Sequence, residues 1–406
     1  MKYLTSFIAA PHRVMFFGGA VQTIAVMLWW IAELLTRYGI MGAPMVWPVA
    51  PSFVHAYLMI YGLFPFFMFG FLMTVFPRWM NGREIPARHF VPAFVLLSLG
   101  AAGFYAGLFA NINVLAVAAS LSLAGWAMAL YALLRVLLDT RHPDKRHPQA
   151  IFIATGLGWC GLASYLVWLL GEDAAYLHFA IQSGLWFFLL PVFASVAHRM
   201  IPFFTSSALP NHPVARPYWP WPVMLAASLA HGLLALFGAT AWLWLSDAPL
   251  AIAALYLTYV WGLQRSLRVP LLGVLHIGFA WLGIGMLLFA VQSFLSFSGD
   301  GTTQVWGLAP QHALTIGCYA TLLIGMGTRV TLGHSGLPMQ VDTPILVMFS
   351  GIQIATLLRV LADMLPLQGG YWLYVAAAAI WLACFSPWVL RYLPAYWRPR
   401  ADGRAG

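Results

Sequence analysis

"HALTIGCYATLLIGMGTRVTLGH", residues 312–334, is the stretch on which the fold turns. Between its terminal histidines, His312 and His334, the only charged side chain is Arg329. At about 1.5 Å per helical residue the two imidazoles stand roughly 33 Å apart, close to the hydrocarbon thickness of a bilayer. The stretch therefore reads as a membrane-crossing helix with a histidine near each face. Each imidazole is then either a ligand or a polar tip in the interface.

Composition extends that reading to the whole chain. Of 406 residues, 62% are hydrophobic and 8% charged, with a mean hydropathy of +0.82. Soluble domains carry about 25% charged residues, so a soluble globular protein is excluded and an all-α polytopic membrane protein is expected. The 19 Trp, 28 Phe and 16 Tyr suit interfacial belts and lipid-facing surface, and flat side chains also suit a flat cofactor. Cys160, Cys318 and Cys384 all fall in apolar runs, so no disulfide framework is expected. The absence of Cys-x-x-Cys-His excludes covalent c-type haem. "MKYLTSFIAAPHR" has an apolar patch broken by Pro11, His12 and Arg13, so no cleavable signal is expected and the first span follows it.

Apolar runs of spanning length occur at 16–36, 52–76, 91–110, 113–138, 150–170 and 174–197. Six more follow at 222–245, 248–263, 270–294, 311–327, 343–364 and 370–390. About twelve helices result, forming a single integral membrane domain over 1–406. With the N-terminus inside, every Lys and Arg except Arg37 and Arg359 falls on the inner side, and the outer turns carry Glu172, Asp173, Asp247 and Asp300. That asymmetry places both termini in the cytoplasm. It also makes the net charge of +9 a matter of topology and anionic-lipid contact, not of nucleic-acid binding. The second, sixth and tenth helices then share a pattern from outside to inside: His55 to Arg78, His178 to Arg199 and His312 to Arg329. Three four-helix repeats would produce it. So would the outer polar tips and inner arginines expected on any such helix.

The chain has 12 histidines. His142 and His147, in "DTRHPDKRHPQ", read as solvated loop residues, and His12, His89 and His212 as boundary residues. His231 in "SLAHGLL" and His276 in "PLLGVLHIGFAW" lie inside spans, where an ionisable group is costly and needs a partner. A backbone carbonyl is the plain expectation for both, while glycine and aromatics around His276 would admit a planar ligand. His55, His178 and His312 begin their helices, where the dipole favours the neutral, ligand-competent imidazole by about 0.3–1 kcal/mol. His198 and His334 end theirs and are the inner candidates. Glu33 and Asp363 lie near span ends, so no carboxylate relay of the kind a proton-coupled transporter uses is expected. There is no phosphate loop, Gly-x-Ser-x-Gly or His-Glu-x-x-His. Imidazole, aromatics, glycine and Met suit haem or copper better than a hard cation. The competing class is a transporter or channel with a histidine-lined path.

Four stretches carry a resemblance: "HAYLMIYGLFPFFMFGFLMTVFPRW" at 55–79, "RMIPFFT" at 199–205, "LHIGFAW" at 275–281 and "HALTIGCYATLLIGMGTRVTLGHSG" at 312–336. In order and spacing over about 55–336 they resemble the NnrS family. The resemblance implies a multi-pass protein of the bacterial cytoplasmic membrane, containing haem and copper and tied to the nitric oxide response and nitrosative stress tolerance. It implies non-covalent, b-type haem, with nitric oxide or another small diatomic as ligand, and an electron donor it does not name. Whether nitric oxide is turned over is left open. The family's histidines carry over onto His55, His276, His312 and His334, the metal-ligand candidates. His178, His198, Arg199 and Arg329 complete the candidate cofactor-binding set. The chain departs from the family in three ways: Tyr57 and Leu58 replace a second His and a Glu, Leu337 replaces an Arg, and His198 stands where relatives have Gly. The first departure weakens a copper site. Histidines on helices two, six and ten of twelve also resemble the catalytic subunit of haem–copper oxidases.

Overall fold

A chain this apolar folds as helices, because in lipid only a helix closes its own backbone hydrogen bonds within one segment. The computed structural model describes residues 2–171, 173–209, 214–299, 305–365 and 370–403. Glu172, His212, Asp300 and Arg404, which the sequence placed in loops or the tail, lie outside the described residues. Among those described there is no strand.

Eleven described helices are long and apolar enough to cross a membrane. They are α1 (Pro11–Arg37), α2 (Pro51–Trp79), α3 (Ala87–Phe109), α4 (Ile112–Asp139), α5 (Arg146–Gly171) and α6 (Ala174–Ala208), and, beyond α7 (Pro220–Leu236), α8 (Thr240–Val260), α9 (Pro270–Ser298), α10 (Ala309–His334), α11 (Thr343–Met364) and α12 (Tyr371–Tyr396). The apolar α7 is shorter, at 17 residues. Each helix answers in order to one expected run.

The break between α7 and α8 comes earlier than expected. Gly238, at φ +72°, ends α7 in the left-handed region. The Ala239 N–H reaches the Leu234 carbonyl at 2.8 Å, and the Gly238 N–H reaches that of Ala235 at 3.1 Å, which is a Schellman close. Asp247 is therefore no outer-turn residue. It lies inside α8 with 0% exposure.

Three of the described helices contain a π-helical segment. Leu58–Leu63 in α2, Ser183–Leu189 in α6 and Ala313–Ala320 in α10 wind as π-helix, a local underwinding often found at functional sites. Each segment holds a glycine packed against a neighbour. A Cβ on Gly184 would lie 2.5 Å from Ile60 Cγ2, one on Gly62 3.0 Å from Gln22 Nε2, and one on Gly317 2.7 Å from the Trp281 ring. Small residues let membrane helices approach this closely. Beside Gly317 the Trp281 indole occupies the space that a planar ligand would need.

The chain forms two compact units, one of residues 1–192, 331–337 and 389–406, the other of 193–330 and 338–388. The first has an aromatic core. Tyr57 stacks on Phe104 at 3.9 Å, Trp126 meets Phe188 at 4.9 Å, and Tyr61 donates to the Ala180 carbonyl at 2.6 Å. Tyr57, which departs from the family pattern, is thus spent on packing. In the second, Trp281 Nε1 donates to Gln353 Oε1 at 2.8 Å, and Trp388 Nε1 to Thr328 Oγ1 at 2.8 Å. Phe109, Phe237, Tyr259 and Leu390 are strongly exposed apolar side chains, as a bilayer partner requires.

Candidate functional site

His276 sits on α9 with 1% exposure. Its Nε2 is 2.9 Å from Thr205 Oγ1 on α6. The Thr205 hydroxyl gives its own proton to the Ile201 carbonyl at 2.8 Å, so it can only accept from His276. Nε2 must therefore carry the hydrogen, and the lone pair is left on Nδ1. That nitrogen is buried and has no hydrogen-bond partner among the described residues. The expected carbonyl partner is replaced by a hydroxyl that selects the tautomer. One residue earlier on α6, the Phe204 ring carries the Arg329 guanidinium of α10 on its face at 3.9 Å. Arg329 Nε is also buried without a hydrogen-bond partner among the described residues. A lone pair and a cationic donor thus flank one turn of α6, and buried polar groups left this way call for a partner.

The other candidates in this unit are differently engaged. His198 is fully buried and donates from Nε2 to the Pro217 carbonyl at 3.0 Å, with Trp221 and Trp261 alongside. The neighbouring Arg199 is half-buried. His312 is half-buried on the first turn of α10, and its Nδ1 donates to the Leu308 carbonyl at 3.0 Å, which leaves the lone pair on Nε2.

In the first unit His334 has a partner that the sequence did not suggest. His12 is buried at the start of α1, and its ring centroid lies 4.2 Å from that of His334. Thr74 Oγ1 stands 3.4 Å from His12 Nδ1 and donates to the Gly70 carbonyl, so Nδ1 carries the hydrogen. Arg13, Arg78 and Arg400 act electrostatically on both rings. Such a cluster favours an anionic group over a divalent cation. His55 stacks on Trp30 at 4.1 Å, under an indole that Arg37 also approaches at 5.3 Å. The Arg37 side chain is anchored by Glu33, which also takes Trp47 Nε1 at 2.6 Å. His178 is exposed one turn into α6. In the α4–α5 loop His142 meets the Asp144 backbone at 3.0 Å, and Arg146 holds the Asp144 carboxyl down at about 2. His147, expected in solvent, is fully buried in the first turn of α5.

Among the described residues no three His, Cys, Asp or Glu side chains gather as a metal site. His276 and His312 belong to one unit, and His55 and His334 to the other. Sequence reasoning missed His12, whose partner is 322 positions away, and the tautomer-setting role of Thr205. The motif "RMIPFFT" did carry Thr205, but nothing in it pointed to His276. No curated protein matches the chain. The family model described as NnrS protein matches residues 6–400, well beyond the 55–336 of the motif resemblance, and the chain belongs to the NnrS family.

Proposed function

We propose that the protein binds b-type haem in the bacterial cytoplasmic membrane and serves the nitric oxide response, with His276 as a residue that would hold it. The observation that carries the reading is the buried Nδ1 lone pair of His276, presented by the Thr205 hydroxyl and met by no protein donor among the described residues. Haem would supply an iron that binds nitric oxide or another small diatomic and exchanges an electron with a donor. His276 supplies a neutral nitrogen in a fixed tautomer, as a ligating imidazole requires. Arg329, held on Phe204, supplies a buried cationic donor suited to a carboxylate of the cofactor. Burial around His276 keeps water from the ligand nitrogen. His312, with its lone pair on Nε2, and His55, His178, His198, His334 and Arg199 are further candidates, and copper is a second candidate cofactor.

The test is the absorption spectrum of the full chain purified from haem-replete cells. Wild type should show a Soret band, and His276→Ala should lose most of the haem while still inserting. His142→Ala, in the loop, is the control and should keep it. A colourless wild type would favour the transporter or channel reading. Full haem content and an unshifted spectrum in His276→Ala would remove His276 as ligand.

A further inference from the structure

A buried cation without a counter-ion is costly, and α1 carries one in its first turn. Arg13 is 2% exposed. Its Nη1 donates to the Arg398 carbonyl at 2.8 Å and to the Tyr396 carbonyl at 3.4 Å. Those bonds satisfy two hydrogens and neutralise no charge. Arg13 Nε is buried with no hydrogen-bond partner among the described residues. The charged group acting on Arg13 is a second guanidinium, that of Arg400. Next to Arg13 in the chain, His12 faces His334 at 4.2 Å, and Arg13, Arg78 and Arg400 act on both rings. Among the described residues no carboxylate acts on Arg13, His12 or His334. Asp402 is taken up by Arg400, at 2.6 Å. All of these residues lie in the first unit, with Arg78 in the last turn of α2 and His334 in that of α10.

The helix and the tail add to the same place. Ala10, the N-cap of α1, supplies no side-chain hydrogen bond, so the positive end of the helix dipole is left to another partner. The end of the chain is tied down here. Tyr396 Oη stands 3.1 Å from Thr331 Oγ1, and the Ala401 N–H donates to the Ser335 carbonyl at 2.9 Å. Guanidiniums with no facing carboxylate suit the oxygens of a phosphate group, which they bind through parallel charge-assisted hydrogen bonds. We propose that Arg13, with Arg78, Arg400 and the His12–His334 pair, forms a binding site for a phosphate-type oxyanion. Free phosphate and the headgroup of an anionic lipid share this chemistry. Neither imidazole has to change protonation, because a neutral ring already carries one N–H. No covalent bond forms or breaks. The site goes beyond the haem reading and does not depend on it.

Two measurements on the full chain, freed of lipid in a neutral detergent, test this. The first is calorimetric titration with sodium phosphate, against sodium chloride of equal ionic strength. The second is native mass spectrometry after adding phosphatidylglycerol or phosphatidylcholine. A saturable heat with phosphate and none with chloride assigns a free anion. Selective retention of phosphatidylglycerol assigns a lipid headgroup. Whichever ligand binds, Arg13→Gln should weaken it about tenfold or more. Arg78→Gln, on an exposed side chain, should weaken it about two- to fivefold. Arg135→Gln, whose guanidinium pairs with Asp139 on α4, is the control and should bind as wild type does. If Arg13→Gln fails to fold, Arg78→Gln decides. Neither signal in wild type, or equal binding in wild type and the folded variants, would overturn the proposal. Arg13 would then be only a clamp on the tail carbonyls. A colourless preparation that binds phosphate would leave this site standing, so the two proposals fail separately.

Discussion

Thr205 shows how a neutral side chain can decide the chemistry of a histidine. Its hydroxyl has one proton, committed to Ile201, so the imidazole must donate from Nε2 and present Nδ1. Outer partners of this kind are worth about 10–100-fold in ligand affinity. Thr205→Val keeps the shape and removes the acceptor, so haem affinity should fall by about that factor. Thr205→Ser should restore it. Haem titration of stripped protein, read by absorbance, checks both, and unchanged affinity in the Val variant would make Thr205 a packing residue only. Neither this role nor the His12–His334 contact could be read from neighbours in the sequence. Both depend on which side chains face each other across separate helices, and the hydrophobic pattern of an all-round apolar helix does not say which face is inward.

At the scale of elements, the helices that share a His-to-Arg pattern are the ones that carry π segments, and glycine lets those segments pack. On α5, Gly161 faces α2 and α6 together: a Cβ there would stand 2.3 Å from Tyr61 Oη and 3.0 Å from Ser183 Cβ. On the same helix, a Cβ on Gly156 would meet nothing within 4 Å. Gly161→Ala should therefore destabilise the protein by about 1–3 kcal/mol through overpacking. Gly156→Ala should be neutral or gain up to about 1 kcal/mol from helix propensity. Thermal unfolding in detergent separates the two. Equal midpoints would mean that the Tyr61 ring yields without cost. The sequence placed every helix, the α7–α8 break apart, but not the π winding within three of them. A π turn leaves the apolar pattern intact over so short a segment, and the glycines that accompany it are common throughout this chain.

For the whole molecule, an even number of crossings and basic loops on one side predict both termini in the cytoplasm. Reporter fusions at Met1 and Gly406 should both report the cytoplasmic side. An external reading at either end would remove one crossing, most readily the 17-residue α7. The shared side matters for the histidines, because it sets which of them lie near the same membrane face.

Hydrophobicity determined that this chain is a helical membrane protein and where each helix lies, the α7–α8 break apart, and the residue order carried the family motifs. A span is a local property, set by some twenty consecutive side chains against one bilayer thickness. Only the tertiary structure decided that His334 meets His12, that His276 presents Nδ1, and that Asp247 is buried against His231. The last of these turned on a single local event. The left-handed Gly238 ends α7 early and draws Asp247 from a loop into α8. Partners of buried polar groups are chosen by helix rotation and packing, which a uniformly apolar sequence leaves open until the helices meet.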